Sequence, residues 1–138
     1  MSSPKSTFPG RRRRREPLDR ARIARAALEL IDAEGLDNLS MRRLGSALGV
    51  EAMAIYHHFG GKGDLLDAIL DLFVEEIEPV LIGDGEPLAR LRACFDAIRG
   101  IAITHPRAIW VLPARRFRTP RSLAFYERLL RTFHEAGF

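Results

Sequence analysis

The chain has 138 residues, 46% of them hydrophobic and 29% charged, enough for one packed core and too few for two full-sized domains. No stretch approaches the roughly 20 consecutive apolar residues that span a bilayer, and Arg11 to Arg15 have no apolar run behind them, so membrane and secretory classes drop out. The single cysteine, Cys94, allows neither an internal disulfide nor a cysteine-built zinc site and fits a reducing cytoplasm.

Charge is unevenly spread. Residues 1–63 hold 12 basic and 7 acidic side chains, residues 64–98 hold 2 and 9, and residues 99–138 hold 8 and 2. A basic front end beside an acidic middle assigns a polyanionic partner to the N-terminal part alone.

In chain order, residues 1–17 combine Pro4, Pro9, Gly10 and Pro17 with the arginine run and have almost nothing to bury, the composition of a disordered basic arm. From Leu18 onward Ile23, Ala27, Leu30 and Ile31 recur at helical spacing. Asp19 is the N-cap, Leu18 and Ile23 form a staple across it, and Gly35 supplies the left-handed stop, which predicts a helix from Arg20 to Glu34. Ser40 caps a second helix through Met41, Leu44 and Leu48 that Gly49 ends. A third, Ala52 to Phe59, begins at once. After Gly60, Gly61 and Gly63, the apolar series Leu65 to Ile77 predicts a fourth helix of about 14 residues, about 21 Å long, ending at Pro79. Its acidic residues, Asp64 to Glu78, read as a solvent face. A turn over Ile82 to Pro87 leads to a helix from Leu88 to His105. Pro106 opens a short helix, and Pro113 with the basic segment Ala114 to Thr119 interrupts it. There Arg115, Arg116 and Arg118, with Arg121 beyond, read as a solvated basic cluster. Pro120 then starts a last helix reaching Ala136. No period-two run of strand length occurs, so the expected fold class is all-α, without internal repeats.

Two short helices joined at Gly49 and Val50 have the spacing of a helix-turn-helix. Counting Met41 as the first position, the fifth is Gly45, where the helices press close. The ninth is Gly49, where the turn needs positive φ. The fourth, eighth, tenth and fifteenth are Leu44, Leu48, Val50 and Ile55, all apolar. Enzyme chemistry has little to stand on: no nucleophile lies beside a base, and Gly60-Gly61-Lys62-Gly63 lacks both the phosphate-loop spacing and the preceding strand. His57 and His58 are adjacent, about 100° apart around a helix, with no carboxylate or cysteine at i±4 on the same face, so neither a metal nor a cofactor is expected.

Residues 28–70, with the Leu48-Gly49-Val50 turn, the Ala54 to Phe59 run and Lys62 followed by Leu65 and Leu66, resemble the DNA-binding domain of the TetR family of transcriptional regulators. Short segments at Thr104-His105, Thr119-Pro120 and Ala136-Gly137-Phe138 resemble the family's tetracycline-repressor subgroup more weakly. The resemblance implies a helix-turn-helix DNA-binding domain at 18–63 and a helical ligand-binding domain at 64–138, incomplete because the family's pairing helices have no counterpart here.

It further implies that the helix from Ala52 enters the major groove. There Ala52, Met53 and Ala54 meet thymine methyls or base shape, and Arg42 offers two donors to a guanine edge. Ser40 lies at the same surface. Tyr56, His57, His58 and Lys62 position the protein on backbone and bases. A small-molecule effector would sit among Phe95, Ile98, Ile101, His105 and Trp110, with Phe117 nearby; His105 and Trp110 also read as packed residues. Leucine at position 112, where the subgroup coordinates a metal, argues for an apolar ligand. The function so implied is a sequence-specific, ligand-responsive repressor in the cytoplasm, at the nucleoid, bound to operator DNA and homodimeric when the pairing helices are present. A non-specific nucleic-acid-binding module dominated by the arginine arm stays open as the alternative.

Overall fold

The apolar positions read from the sequence become one continuous core. The computed structural model describes residues 17–138 and, among them, helices and turns without strands. The arginine run at 11–15 lies outside the described residues. The helices are α1 (Arg20–Glu34), α2 (Met41–Leu48), α3 (Ala52–Tyr56), α4 (Lys62–Ile82), α5 (Pro87–Thr104), α6 (Val111–Arg115) and α7 (Pro120–Glu135), with a 3-10 turn at Leu36–Asn38.

The helix starts follow from side-chain caps. Asp19 accepts from the Arg22 amide at 2.7 Å and Ser40 from the Arg43 amide at 3.1 Å, each satisfying an amide with no partner inside the helix. Thr119 and Ser122 exchange side-chain and backbone bonds at 3.0 Å in each direction, and Pro120 takes the first position of α7. Gly35, at φ +89°, closes α1 by donating to the Ile31 carbonyl at 2.7 Å.

Four expectations need correcting. Helix α3 stops at Tyr56 rather than Phe59, because the chain turns at His57 so that Phe59, 1% exposed, can enter the core. Helix α4 runs 21 residues, about 31 Å, straight through Pro79. Proline there removes an amide that would bond the carbonyl of Glu75. Both residues are exposed, so water can take that carbonyl, and continuing the helix buries Leu81. Residues 106–110 form turns, and the short helix begins only at Val111. Pro113 then lies inside its first turn, where a missing amide leaves no intrahelical bond unmade.

Helix α4 lies at the centre. Leu65, Ile69, Leu70, Phe73, Val74, Ile77 and Leu81 are all buried on it. It packs against α1 on the N-terminal side and against α5, α6 and α7 behind. Ile23, Ala27 and Ile31 of α1, Leu44 of α2 and Ile55 of α3 complete the N-terminal part of the same core.

The turn between α2 and α3 is fixed by two glycines with different duties. Gly49 adopts φ +67°, while the amides of Val50 and Gly49 bond the carbonyls of Gly45 and Ser46 at 2.9 and 3.3 Å, the paired pattern that ends a helix at a left-handed residue. Gly45 has no such angle; a Cβ there would stand 2.8 Å from the Val50 carbonyl oxygen and 3.3 Å from the Ala52 nitrogen. Both neighbours are backbone and cannot swing away. Gly45→Val is therefore expected to destabilise the chain by about 2–4 kcal/mol and Gly49→Val by about 1–3 kcal/mol. Thermal melts followed by circular dichroism check this; an unchanged midpoint for Gly45→Val would mean that the helices can part without cost.

Candidate nucleic-acid interface

Helix α3 has five residues, too few to persist without support. Ile55 and Phe59 hold it, 0% and 1% exposed, and Ala52 packs at the core's edge. That leaves Met53 67% exposed and Tyr56 49% exposed, with His57 exposed and Ala54 and His58 half-buried. Ser40 is exposed at the start of α2, with its hydroxyl committed to the Arg43 amide.

The two arginines after it have different fates. Arg43 is held by Glu34, its Nε donating at 2.6 Å and a second nitrogen bonding the other carboxylate oxygen. These bonds hold the Glu34 carboxyl below its usual range. Arg42 is exposed and makes no such pair among the described residues, so its two-pronged donor face is available. Lys62 opens α4, where its ammonium donates to the Leu36 carbonyl at 3.2 Å; two of its three protons stay uncommitted.

One organising residue escaped the sequence reading. Arg20, at the start of α1, donates to the His58 carbonyl, lies 4.2 Å over the Phe59 ring and pairs with Asp64 at 3.4 Å. It thus ties α1, the turn after α3 and the first turn of α4 together. Asp64 in turn accepts from the Gly60 amide at 3.1 Å. That bond first, and Arg20 after it, hold the Asp64 carboxyl below the usual aspartate range. Sequence pattern offered no signal for a pair 44 residues apart.

The acidic side of α4 and the basic cluster after α6, each expected to face water, face each other. Asp67 accepts from Arg115 Nε at 2.5 Å, with Arg118 at 4.0 Å; Asp71 accepts from the Thr119 hydroxyl at 2.5 Å; Glu75 pairs with Arg121 at 3.2 Å. The three acids stand four residues apart and so form one stripe. Arg115 also reaches the first turn of α4, 3.3 Å from where a Cβ on Gly63 would sit, next to Lys62.

Behind α4, a cavity of about 320 Å³ opens between α4, α5, α6 and α7. Phe95 and Ile98 line it, whereas Ile101, 1% exposed, belongs to the core. His105 is elsewhere: its Nδ1 lies 2.6 Å from Asp32 Oδ2, joining the end of α5 to α1, and its ring packs 5.7 Å from that of Phe73. Arg107 strengthens this junction by donating to the Ala33 carbonyl at 2.9 Å. Trp110 points away, 68% exposed. Phe117, 54% exposed, stacks edge-on against Tyr126 at 4.9 Å and holds φ +71°, a strained angle for a side-chain-bearing residue. Leu112, Phe125 and Leu129 supply walls that periodicity alone did not assign to the cavity. Burial pushes the Cys94 thiol up to about 11, so it behaves as a small core residue. No group of three or more metal-ligating side chains converges among the described residues, and none of their helices is long and apolar enough to cross a membrane.

Residues 23–69 match the family described as "Bacterial regulatory proteins, tetR family". The chain is 36% identical over 132 residues to the HTH-type transcriptional repressor DrrR1 of Streptomyces coeruleorubidus, covering 93% of this chain and 49% of that protein. Among solved structures, a possible TetR family transcriptional regulator from Streptomyces coelicolor A3(2) superposes with a TM-score of 0.74 at 34% identity, covering 87% of this chain and 60% of that one. ActR of Streptomyces coelicolor, in complex with actinorhodin, does so with 0.71 at 29%, covering 88% and 57%. The chain thus spans about half the length of the relatives it matches.

The Asp64 junction has a pH signature. A carboxyl whose folded pKa is lowered stabilises the fold fully above its unfolded value, about 3.9, and loses that contribution as pH falls through the folded value. Asp64→Asn keeps an acceptor for Gly60 but removes the charge. It is expected to melt below the parent chain at pH 7 and to converge with it as pH falls through the lowered folded value; a gap that stays constant as the pH is lowered would assign the loss to shape rather than charge.

Proposed function

Through residues 23–69 the chain belongs to the tetR family of bacterial regulatory proteins, and on that premise we propose that it is a sequence-specific DNA-binding transcriptional regulator, most simply a ligand-responsive repressor. The observation that carries the reading is the five-residue helix α3, held from behind by Ile55 and Phe59, with Met53 and Tyr56 turned outward beside Arg42, which pairs with no carboxylate among the described residues. A short, buried-backed helix following a glycine turn is the geometry that enters a major groove. Arg42 is the hydrogen-bonding base reader, Ala52, Met53 and Ala54 read methyl groups or shape, and Ser40, Tyr56, His57, His58 and Lys62 position the helix on the backbone.

Regulation follows the same elements. The cavity lies against Ile77 and Leu112, and α6 grips the first turns of α4 through Arg115. A ligand that displaces α6 moves α4, and with it Lys62 and the Arg20 junction. The division of labour is a DNA-binding unit at 18–63 and a regulatory unit at 64–138. The working form is two copies in the cytoplasm, at the nucleoid, because one recognition helix fills one half-site and an operator offers two about 34 Å apart.

Selecting bound fragments from random DNA tests the reading. A two-fold symmetric site supports it, whereas equal recovery of all sequences replaces it with a non-specific nucleic-acid-binding module. On the selected site, Arg42→Ala is expected to weaken binding by about 1–3 kcal/mol and to relax one base pair per half-site without altering affinity for random DNA. Lys62→Ala is expected to weaken binding to all sequences and to reduce the magnitude of the salt slope by about 0.9 per protomer. Titrations at several salt concentrations measure both. An unchanged slope for the lysine variant removes it from the phosphate contacts.

A further inference from the structure

The cavity behind α4 has a chemical bias that size alone does not convey. Side chains from four helices, Ile77, Ile98, Leu112 and Phe125 among them, make it apolar. Among the residues that line it, Arg116, exposed at the rim, and Tyr126 are the ones with polar side chains. Of the four arginines between 115 and 121, three face a carboxylate: Arg115 and, more distantly, Arg118 share Asp67, and Arg121 pairs with Glu75. Arg116 pairs with no carboxylate among the described residues; it donates to the Pro113 carbonyl at 3.2 Å, and its guanidinium carbon lies 5.7 Å from the Phe117 ring centre. Most of its five N–H donors therefore remain unused.

Tyr126 offers a second donor. Its ring is fixed between Phe117 at 4.9 Å and Phe125 at 5.3 Å, and its hydroxyl makes no hydrogen bond within the described residues. Burial raises its pKa and outweighs the opposite pull of Arg116, so the phenol keeps its proton at neutral pH. An apolar pocket of about 320 Å³, open to solvent on one side, takes a molecule of two or three fused rings. A cation with open donors beside a protonated phenol adds recognition of a planar anion, which a guanidinium meets with two parallel bonds.

Building on the ligand-responsive reading above, we infer that the effector is an aromatic acid, its rings packed against the apolar walls and its carboxylate or phenolate met at the rim by Arg116 and Tyr126. Neutral or cationic polar molecules would leave that guanidinium unpaired, or repel it.

Calorimetric titration of the 138-residue chain with 2-naphthoate and 2-naphthamide, which share a ring system and differ in charge, tests this. Naphthoate is expected to bind on the order of tenfold more tightly. Arg116→Gln should erase that preference while leaving naphthamide affinity unchanged. Leu129→Trp, which fills the chamber, and Ile98→Trp, which fills it from another helix, should each abolish binding of both compounds; at least one must keep the parent's circular dichroism spectrum. Equal binding of acid and amide, or a preference that survives Arg116→Gln, overturns the assignment of an acid and leaves the cavity as the effector site. Binding of neither compound, or binding undiminished in a folded tryptophan variant, overturns the effector site as well.

Discussion

Everything in this chain is arranged around α4, which must be covered on several sides at once. At 100° per residue, its buried positions Leu65, Ile69, Leu70, Phe73, Val74, Ile77 and Leu81 spread over roughly half the helix circumference. No single neighbour can shield so wide an arc. Helix α1 covers the N-terminal end, and α5, α6 and α7 cover the remainder. A fully buried Leu, Ile or Phe side chain contributes on the order of 1.5–3 kcal/mol, so separating α4 from either group costs more than the marginal stability of a small protein allows. The helix therefore belongs to both halves of the molecule, and a displacement of one is felt by the other.

Polar contacts settle how α4 is held within that apolar arc. Beside the buried face runs the stripe Asp67, Asp71 and Glu75, met by Arg115, Thr119 and Arg121. The Asp67 and Arg115 side chains are only 17% and 21% exposed, so this contact is shielded far better than the outer Glu75 to Arg121 pair. Burial supplies the attraction, and the stripe fixes the register, since a slide of α6 along α4 would strand a partly buried charge.

How much of this was legible in the sequence differs from element to element. Helices α1 and α2 were readable to the residue because their ends are written locally: Asp19, Gly35, Ser40 and Gly49 each act within a turn of their own position. The ends of α3 and α4 were not, because they depend on distant partners. Phe59 leaves α3 to meet the core and the Arg20 guanidinium, and Pro79 is carried past by the burial of Leu81. Charge was misread for the same reason. An acidic stripe at helical spacing looks like a solvent face until a basic segment 48 residues away is brought against it. The helix-turn-helix followed from the spacing of Gly45, Gly49 and the apolar positions around them, and the residues proposed to meet DNA from the family resemblance, while the Arg20 junction had no local signal. Of the proposed effector residues, Phe95 and Ile98 line the cavity, but His105 spends its ring on Asp32 and Trp110 faces away.

The brevity of α3 has a consequence for descent with change. Its anchors, Ile55 and Phe59, are buried, whereas Met53 stands two-thirds exposed and is not part of the core. Exchanging Met53 for another side chain leaves the anchors intact and the melting behaviour nearly as it was. If α3 meets DNA as proposed, a lineage acquires a new address on the chromosome by single substitutions there without passing through an unfolded intermediate sequence, and proteins sharing this scaffold diverge in target long before they diverge in shape.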